Sequence, residues 1–351
     1  MSGDTKDELL LVGSVPLDSA EEVFRGFGGA LGRYLNAMPD GETGPRSHWV
    51  SRVHYEVFAL YPDLEIVRRP RRDDGVERLN PHDASDGWQF RVREGTSSFA
   101  LGYPGWRLGF AREAVNSFGL FRALKQLGVL PAHLRFQVSM PMVNSVVAAR
   151  IFPTPGDLEK VRPGYLAALQ AELARILEKI PGEELAIQWD LAGETLDAVR
   201  GTPREAAIER NIEQVRALSP GIPESVPVGY HFCFGTLGTW PTLAPQGLDE
   251  TVVLANAVAE ASVRRVDWVH IPVLDRVDEP YFAPLAALKP RGARVYLGVI
   301  HNMARYGERV VAARKFLPDF GVAAFCGFGR ERPSDMPRIL EDHLSAVQRV
   351  R

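Results

Sequence analysis

Eight short apolar runs, rich in β-branched residues, recur along the chain at residues 9–12, 34–38, 136–139, 185–189, 226–230, 266–271, 295–299 and 323–325. Each ends abruptly in Gly, Pro or a polar residue, and most are followed by apolar residues at helical spacing. Leu166, Leu169, Leu173, Leu177 and Ile180 fall on one helical face, and Pro181-Gly182 then stops the helix. Residues 252–263, 310–316 and 339–350 read the same way. Strands that alternate with helices form a parallel sheet, because the crossover must carry the chain back to the same end of the sheet. Eight such units in 351 residues predict an α/β chain folded as a (β/α)8 TIM barrel. Periodicity alone does not separate this from an open doubly wound sheet. No GxGxxG follows the first run, which counts against the dinucleotide-binding form of that alternative.

The spacing breaks once. Between the second and third runs, residues 40–135 hold only helical or irregular signals, so the barrel is expected to carry a long insertion there. Loops of that length inside a compact domain are usually lids or binding loops. The stretch RRDDGVERLNPHDASDGW (71–88) reads as loop, and Trp88, Trp106 and Trp240 sit in segments able to pack a lid or stack on a flat substrate. No linker or repeat divides the chain, so residues 1–351 are expected to form one domain.

Charge and hydropathy narrow the partners. A formal net charge of −3 without a long basic cluster leaves no face for a phosphate backbone, so no nucleic acid is expected. No apolar segment approaches the ~20 residues of a membrane helix, and the acidic N-terminus does not resemble a signal peptide. The expectation is a cytoplasmic protein with small-molecule substrates, its oligomeric state left open. Two cysteines do not make a disulfide scaffold.

In a barrel, side chains at the carboxyl ends of the strands converge on one site. Those ends are GSVP (13–16), PDGETGPR (39–46), SMP (139–141), DLAGE (190–194), HFC (231–233), HIPVLDR (270–276), HN (301–302) and CGFGR (326–330). His231 and Cys233, two apart in extended chain, face the same side. Cys326 ends the eighth run and joins them on one rim. A histidine and two thiols suit zinc, whose catalytic sites keep one position open. Two unrelated buried thiols are the alternative reading, and a reversible Cys233–Cys326 disulfide is another. The five histidines His48, His54, His82, His133 and His343 lack strand-end placement and are read as structural.

Together these motifs resemble the catalytic C-terminal barrel of the cobalamin-independent methionine synthase family. GSVP is similar to the family's IGSFP, PDGETGPRSHWV to its HGExxRxDMV, and IQWDLAGE (187–194) to its IQIDEPALRE. GYHFCFG is similar to THMCYS, LGVIHN (297–302) to GVYDIHS, and FCGFGR to DCGLKTR. The resemblance implies that His231, Cys233 and Cys326 hold Zn2+, which activates a small-molecule thiol acceptor as a thiolate for transfer of a methyl or other alkyl group from a donor. It also implies that Ser14, Glu42 and Asp190 line the pocket for that thiol, and that His301 donates a proton. Arg46 and Glu194, beside these motifs, are further candidates for binding substrate.

Three positions depart from the pattern. Pro272 stands where the family has a zinc-binding glutamate, Leu191 follows Asp190 in place of a glutamate, and Phe325 replaces the aspartate before CG. His270, two residues before Pro272 on the same face, is predicted to bind the zinc directly or to stand immediately behind its ligands. A second functional reading keeps the barrel and drops methyl transfer: a lyase, decarboxylase or hydrolase similar to uroporphyrinogen decarboxylase. Glu42, Asp190 and Glu194 would then act with Arg46, Arg276 and Arg330 as acid/base and anion-binding groups.

Overall fold

The computed structural model describes residues 8–73, 76, 78–99, 101, 107–201 and 204–350. Eight strands lie parallel: β1 (Leu9–Leu10), β2 (Ala37–Pro39), β5 (Arg135–Pro141), β6 (Leu185–Leu191), β7 (Val228–Phe232), β8 (Trp268–Pro272), β9 (Arg294–Ile300) and β10 (Gly321–Ala324). Their order, β1-β10-β9-β8-β7-β6-β5-β2, follows the chain around a nearly closed barrel with β1 and β2 at the two ends of the sheet. Each of the eight runs read from the sequence overlaps a strand. The (β/α)8 barrel is therefore the fold, and the open doubly wound sheet is not.

The strands are nearly continuous in apolar residues because both faces are covered, by helices outside and by the packed barrel interior within. Outward residues such as Leu185, Ile187, Trp189 and Leu191 join the large core beneath the helices. The helix Asp157–Lys179 buries Val161, Tyr165, Ala168, Leu169, Leu173 and Ile176; of the face read from its spacing, Leu169 and Leu173 are buried and Leu166 and Leu177 half-buried. Inside the barrel, Leu10, Val12, Ala37, Ala186, Trp268, Tyr296 and Ala323 form a second cluster. Gly229 makes room for it: a Cβ there would stand 1.9 Å from the Trp268 ring.

Residues 40–135 are more ordered than the sequence suggested. Phe110–Gln126 is the helix that crosses from β2 to β5, with Phe118 and Phe121 packed on Phe136. Before it lies a two-stranded antiparallel sheet, β3 (Leu64–Arg68) and β4 (Gln89–Val92), where only helical or irregular structure was expected. β3 is too short and too exposed on its outer residues to show a period-2 pattern. The 71–88 stretch between them is loop, organised around buried Asp86, which accepts from the backbone N–H groups of Arg71 and His82. The Phe90 N–H donates to the Ile151 carbonyl and the Val92 N–H to Asp157, fastening this small sheet over the carboxyl end of the barrel. Trp106 lies outside the described residues.

Candidate metal centre and cavity

Parallel pairing places Asp190 opposite His231 and His231 opposite His270, so three polar side chains stand in one row across β6, β7 and β8. Cys233 follows β7 and keeps the inward direction of His231, while its N–H donates to the Leu191 carbonyl at 3.2 Å. Cys326 lies two residues beyond β10, past a register shift between Val322 and Ala324. Strict alternation from Ala323 would have turned Phe325 inward, so the turn out of the strand is what brings Cys326 to the cluster.

The three groups meet. Cys233 Sγ and Cys326 Sγ are 3.4 Å apart, and Cys326 Sγ is 3.5 Å from His231 Nε2. One ligand atom from each lies within 4.8 Å of the others. Tetrahedral zinc, with bonds of about 2.0–2.3 Å, separates its ligands by about 3.3–3.8 Å. The set therefore fits that ion with little rearrangement.

His270 settles which nitrogen of His231 is available. Its Nε2 is 3.0 Å from the Ala324 carbonyl, which only accepts, so that nitrogen carries the proton. Burial pushes His270 down to about 3, so the ring is neutral and its Nδ1 has a lone pair. That lone pair accepts from His231 Nδ1 at 2.7 Å. His231 is also held neutral, first by burial and then by His270. Its Nε2 must then present a lone pair toward Cys326. His270 thus stands behind His231, buried, rather than among the three converging atoms. Between the thiols, hydrogen bonding from Cys326 lowers Cys233 and raises Cys326, so Cys233 deprotonates first.

This cluster opens on a cavity of about 490 Å³ whose wall includes Ser14, Glu42, Asp190, His231, Cys233 and Cys326. Glu42 arrives through the turn DGETG, with Gly41 at φ 80°, Glu42 itself at φ 44° and Gly44 at φ 65°. A left-handed glutamate is strained, and the turn is held by the Glu42 N–H donating to Asp40 at 2.9 Å. Burial, then the neighbouring Asp40, pushes Glu42 up to about 8. Burial and Glu42 likewise raise Asp190 well above the usual carboxylate range, while Gln188 Nε2 donates to it at 2.9 Å. Ser14 is in close contact with the CGFG loop: a Cβ on Gly327 would lie 2.6 Å from the Ser14 nitrogen. That glycine lets the Cys326 loop approach β1.

Three predicted residues stand elsewhere. Arg46 is bound to Asp40 at 2.7 Å, behind Glu42 and off this cavity. Glu194 is fully buried and accepts from the Ser145 hydroxyl at 2.6 Å and the Ser145 N–H at 3.2 Å, beneath the wall. His301 lies at the end of β9 with Nε2 donating to the Val273 carbonyl at 2.8 Å, against the stacked Trp240 and Phe325. Arg276, from the second reading, is paired with Asp278 at 2.5 Å. Conversely, His48 and His54, read as structural, line the cavity, as do Arg68, Ser85, Gly87 and Gln89 from the insertion and Arg150 and Arg200 from the loops. No strand-end pattern marked these residues in the sequence.

The fold and these side chains define a (β/α)8 barrel with a histidine–dithiol cluster at its carboxyl rim. No protein-family model matches the chain, and no curated protein matches it. Among solved structures, a B12-independent methionine synthase from Shewanella sp. W3-18-1, in complex with selenomethionine, is similar with TM-score 0.60 and 12% identity, over 94% of this chain and 84% of that one. A putative vitamin-B12 independent methionine synthase from Listeria monocytogenes is similar with TM-score 0.52 and 14% identity, over 93% of this chain and 86% of that one. At such identities the likeness is one of fold. No helix among the described residues is long and apolar enough to cross a membrane.

Proposed function

We propose that this chain is a zinc-dependent transferase, similar to methionine synthase, that moves a methyl or other alkyl group to a small thiol held in the cavity. The observation that carries this reading is the convergence of His231 Nε2, Cys233 Sγ and Cys326 Sγ within 4.8 Å on the cavity wall. These three residues would hold the ion, leaving a fourth position for substrate. Zinc supplies the Lewis acidity that keeps an incoming thiol deprotonated, and hence nucleophilic, near neutral pH.

The remaining work falls to the chain. His270 fixes the His231 tautomer, so the ligand nitrogen is presented without a proton to remove. Glu42 and Asp190 face the cavity; burial pushes Glu42 up to about 8 and raises Asp190 in the same direction, so the protonated form donates a hydrogen bond to a bound molecule and only the ionised form takes a proton from it. Proton transfer is assigned to this pair, because they line the cavity, whereas His301 stands off its wall beside Trp240 and Phe325 with Nε2 donating to the Val273 carbonyl. Reduced thiols at the site suit a cytoplasmic enzyme. Of the arginines named for a decarboxylase, Arg46 and Arg276 are engaged with aspartates off the cavity and only Arg330 lines it; the transferase reading is preferred on the His231, Cys233 and Cys326 cluster.

X-ray absorption on the zinc-loaded protein tests this. Two protein sulfurs are expected around the metal, rising to three when a small thiol is added. A sulfur count that stays at two across a panel of thiols would contradict thiol activation.

A further inference from the structure

Four guanidiniums line the cavity: Arg68 at the end of β3, Arg150 after β5, Arg200 just after the helix Ala192–Val199, and Arg330 beyond Cys326. Against them the wall carries two carboxylates, Glu42 and Asp190. Even with both acids ionised the wall is cationic, in a chain of formal net charge −3. Among the described residues, none of the four arginines is within ion-pair distance of a carboxylate. Elsewhere arginines close such pairs, as Arg25 does with Glu21 at 2.8 Å and Arg52 with Glu56 at 2.8 Å.

Three of the cavity arginines are held instead by backbone carbonyls. Arg68 Nε donates to Gly87 at 2.9 Å, Arg150 Nη2 to Ser145 at 2.8 Å, and Arg330 Nη1 to Ser47 at 3.2 Å. One carbonyl orients a guanidinium without cancelling its charge and leaves the other N–H donors free. Arg330 acts on the two thiols and Glu42, whereas Arg150 and Arg200 act on one another. Asp197 and then Glu194 act on Arg150 more strongly than Arg200 does, without closing an ion pair to it, and Glu194 is already engaged by Ser145. The small sheet adjoins this group, since Gln89 Nε2 donates to the Arg150 carbonyl at 3.3 Å and Arg68 is fastened to Gly87. Two guanidiniums facing one cavity, neither in an ion pair and Arg150 oriented by the Ser145 carbonyl, make a site for an anion that bridges them.

We propose that Arg150, Arg200 and Arg68 form a subsite for an oxyanion group of the substrate, a phosphate, a sulfonate or a pair of carboxylates, beneath the β3–β4 sheet. That the same molecule carries its sulfur to His231, Cys233 and Cys326 rests on the function proposed above; the anion subsite itself does not. The substrate is then an acid with an excess of negative charge rather than a neutral zwitterion. Because Arg68 belongs to the roof and Arg150 to the barrel wall, one bound anion ties the two together.

Isothermal titration of the full-length, zinc-loaded protein with inorganic phosphate, sulfate and succinate tests this. At least one anion is expected to bind, with affinity falling about ten- to hundredfold in Arg150→Gln and Arg200→Gln. Arg216→Gln, on an exposed helical position, is expected to bind as the unaltered protein does. Preference for phosphate or sulfate over succinate assigns a tetrahedral oxyanion, and the reverse assigns paired carboxylates. Arg200 is exposed, so its variant reports on binding even where the Arg150 variant fails to fold. Titration of the zinc-free Cys233→Ser variant is expected to give the same anion affinity, which separates this proposal from the metal reading. Absence of binding by all three anions, or equal binding by Arg200→Gln, would overturn it.

Discussion

The barrel wall of the cavity and its roof hold their polar groups in different ways. On the wall, His231, His270 and Asp190 sit on paired strands and are buried, each oriented by a neighbour fixed in register. On the roof, Arg68, Ser85 and Gly87 come from a small sheet and a loop fastened by a few hydrogen bonds. Burial changes proton affinities on the wall, with Glu42 raised and His231 and His270 lowered, whereas the roof arginine is exposed. The difference separates two kinds of group: burial on the wall fixes tautomers and raises or lowers proton affinities, whereas the roof carries an exposed charge, Arg68.

The contrast can be broken by substitution, and the largest effect is expected on the wall. Glu42 in the fold has a pKa of about 8 against an ordinary 4.5, so the folded state binds the proton more tightly. Its contribution to stability is fully present below 4.5 and is lost as pH rises through about 8. In the metal-free protein, Glu42→Gln is expected to remove a pH-dependent loss of a few kcal/mol, shared with the neighbouring Asp190. Thermal unfolding of both proteins across that range checks this; parallel pH profiles would contradict it.

Next is packing within the barrel. Gly229→Ala would drive a Cβ to 1.9 Å from the Trp268 ring and is expected to cost about 1–3 kcal/mol in denaturant unfolding, or more if the strand must shift. On the roof, Gly87 has open space around its Cβ position and an ordinary φ of −70°. Gly87→Ala should change stability by less than about 0.5 kcal/mol. Equal losses in the two variants would remove the distinction between wall and roof.

Between these in size is His270→Ala, which releases the His231 tautomer. Zinc affinity, measured by competition with a chromophoric chelator, is expected to fall about 10- to 100-fold. Unchanged affinity would mean that His231 is oriented without it.

The same contrast explains what the sequence made legible. Strand ends were readable because period-2 alternation and register fix where a side chain points, which placed His231 and Cys233 together. The row of Asp190, His231 and His270 follows from the same rule, although the hydrogen bond that puts His270 behind His231 depends on the Ala324 carbonyl of another strand. Cys326 sits past a register shift that no local pattern announces, and it was placed on the rim only by its position at the end of the eighth run. Arg46 and Glu194 stand off the cavity wall because Asp40, itself held by Ser117, and Ser145 engage them, and nothing in their spacing announced those partners. Roof residues such as Arg68 and Gly87 lie far from any strand end of the barrel, so nothing in their spacing pointed to the cavity.

The most direct test of the central claim is the zinc content of the full-length chain, purified without a histidine tag, compared with Cys233→Ser and Cys326→Ser. About one equivalent bound by two sulfurs and a nitrogen, and lost in both serine variants, is the predicted result. Less than about half an equivalent in the unaltered protein, or zinc retained undiminished in both variants, would contradict a metal centre at His231, Cys233 and Cys326.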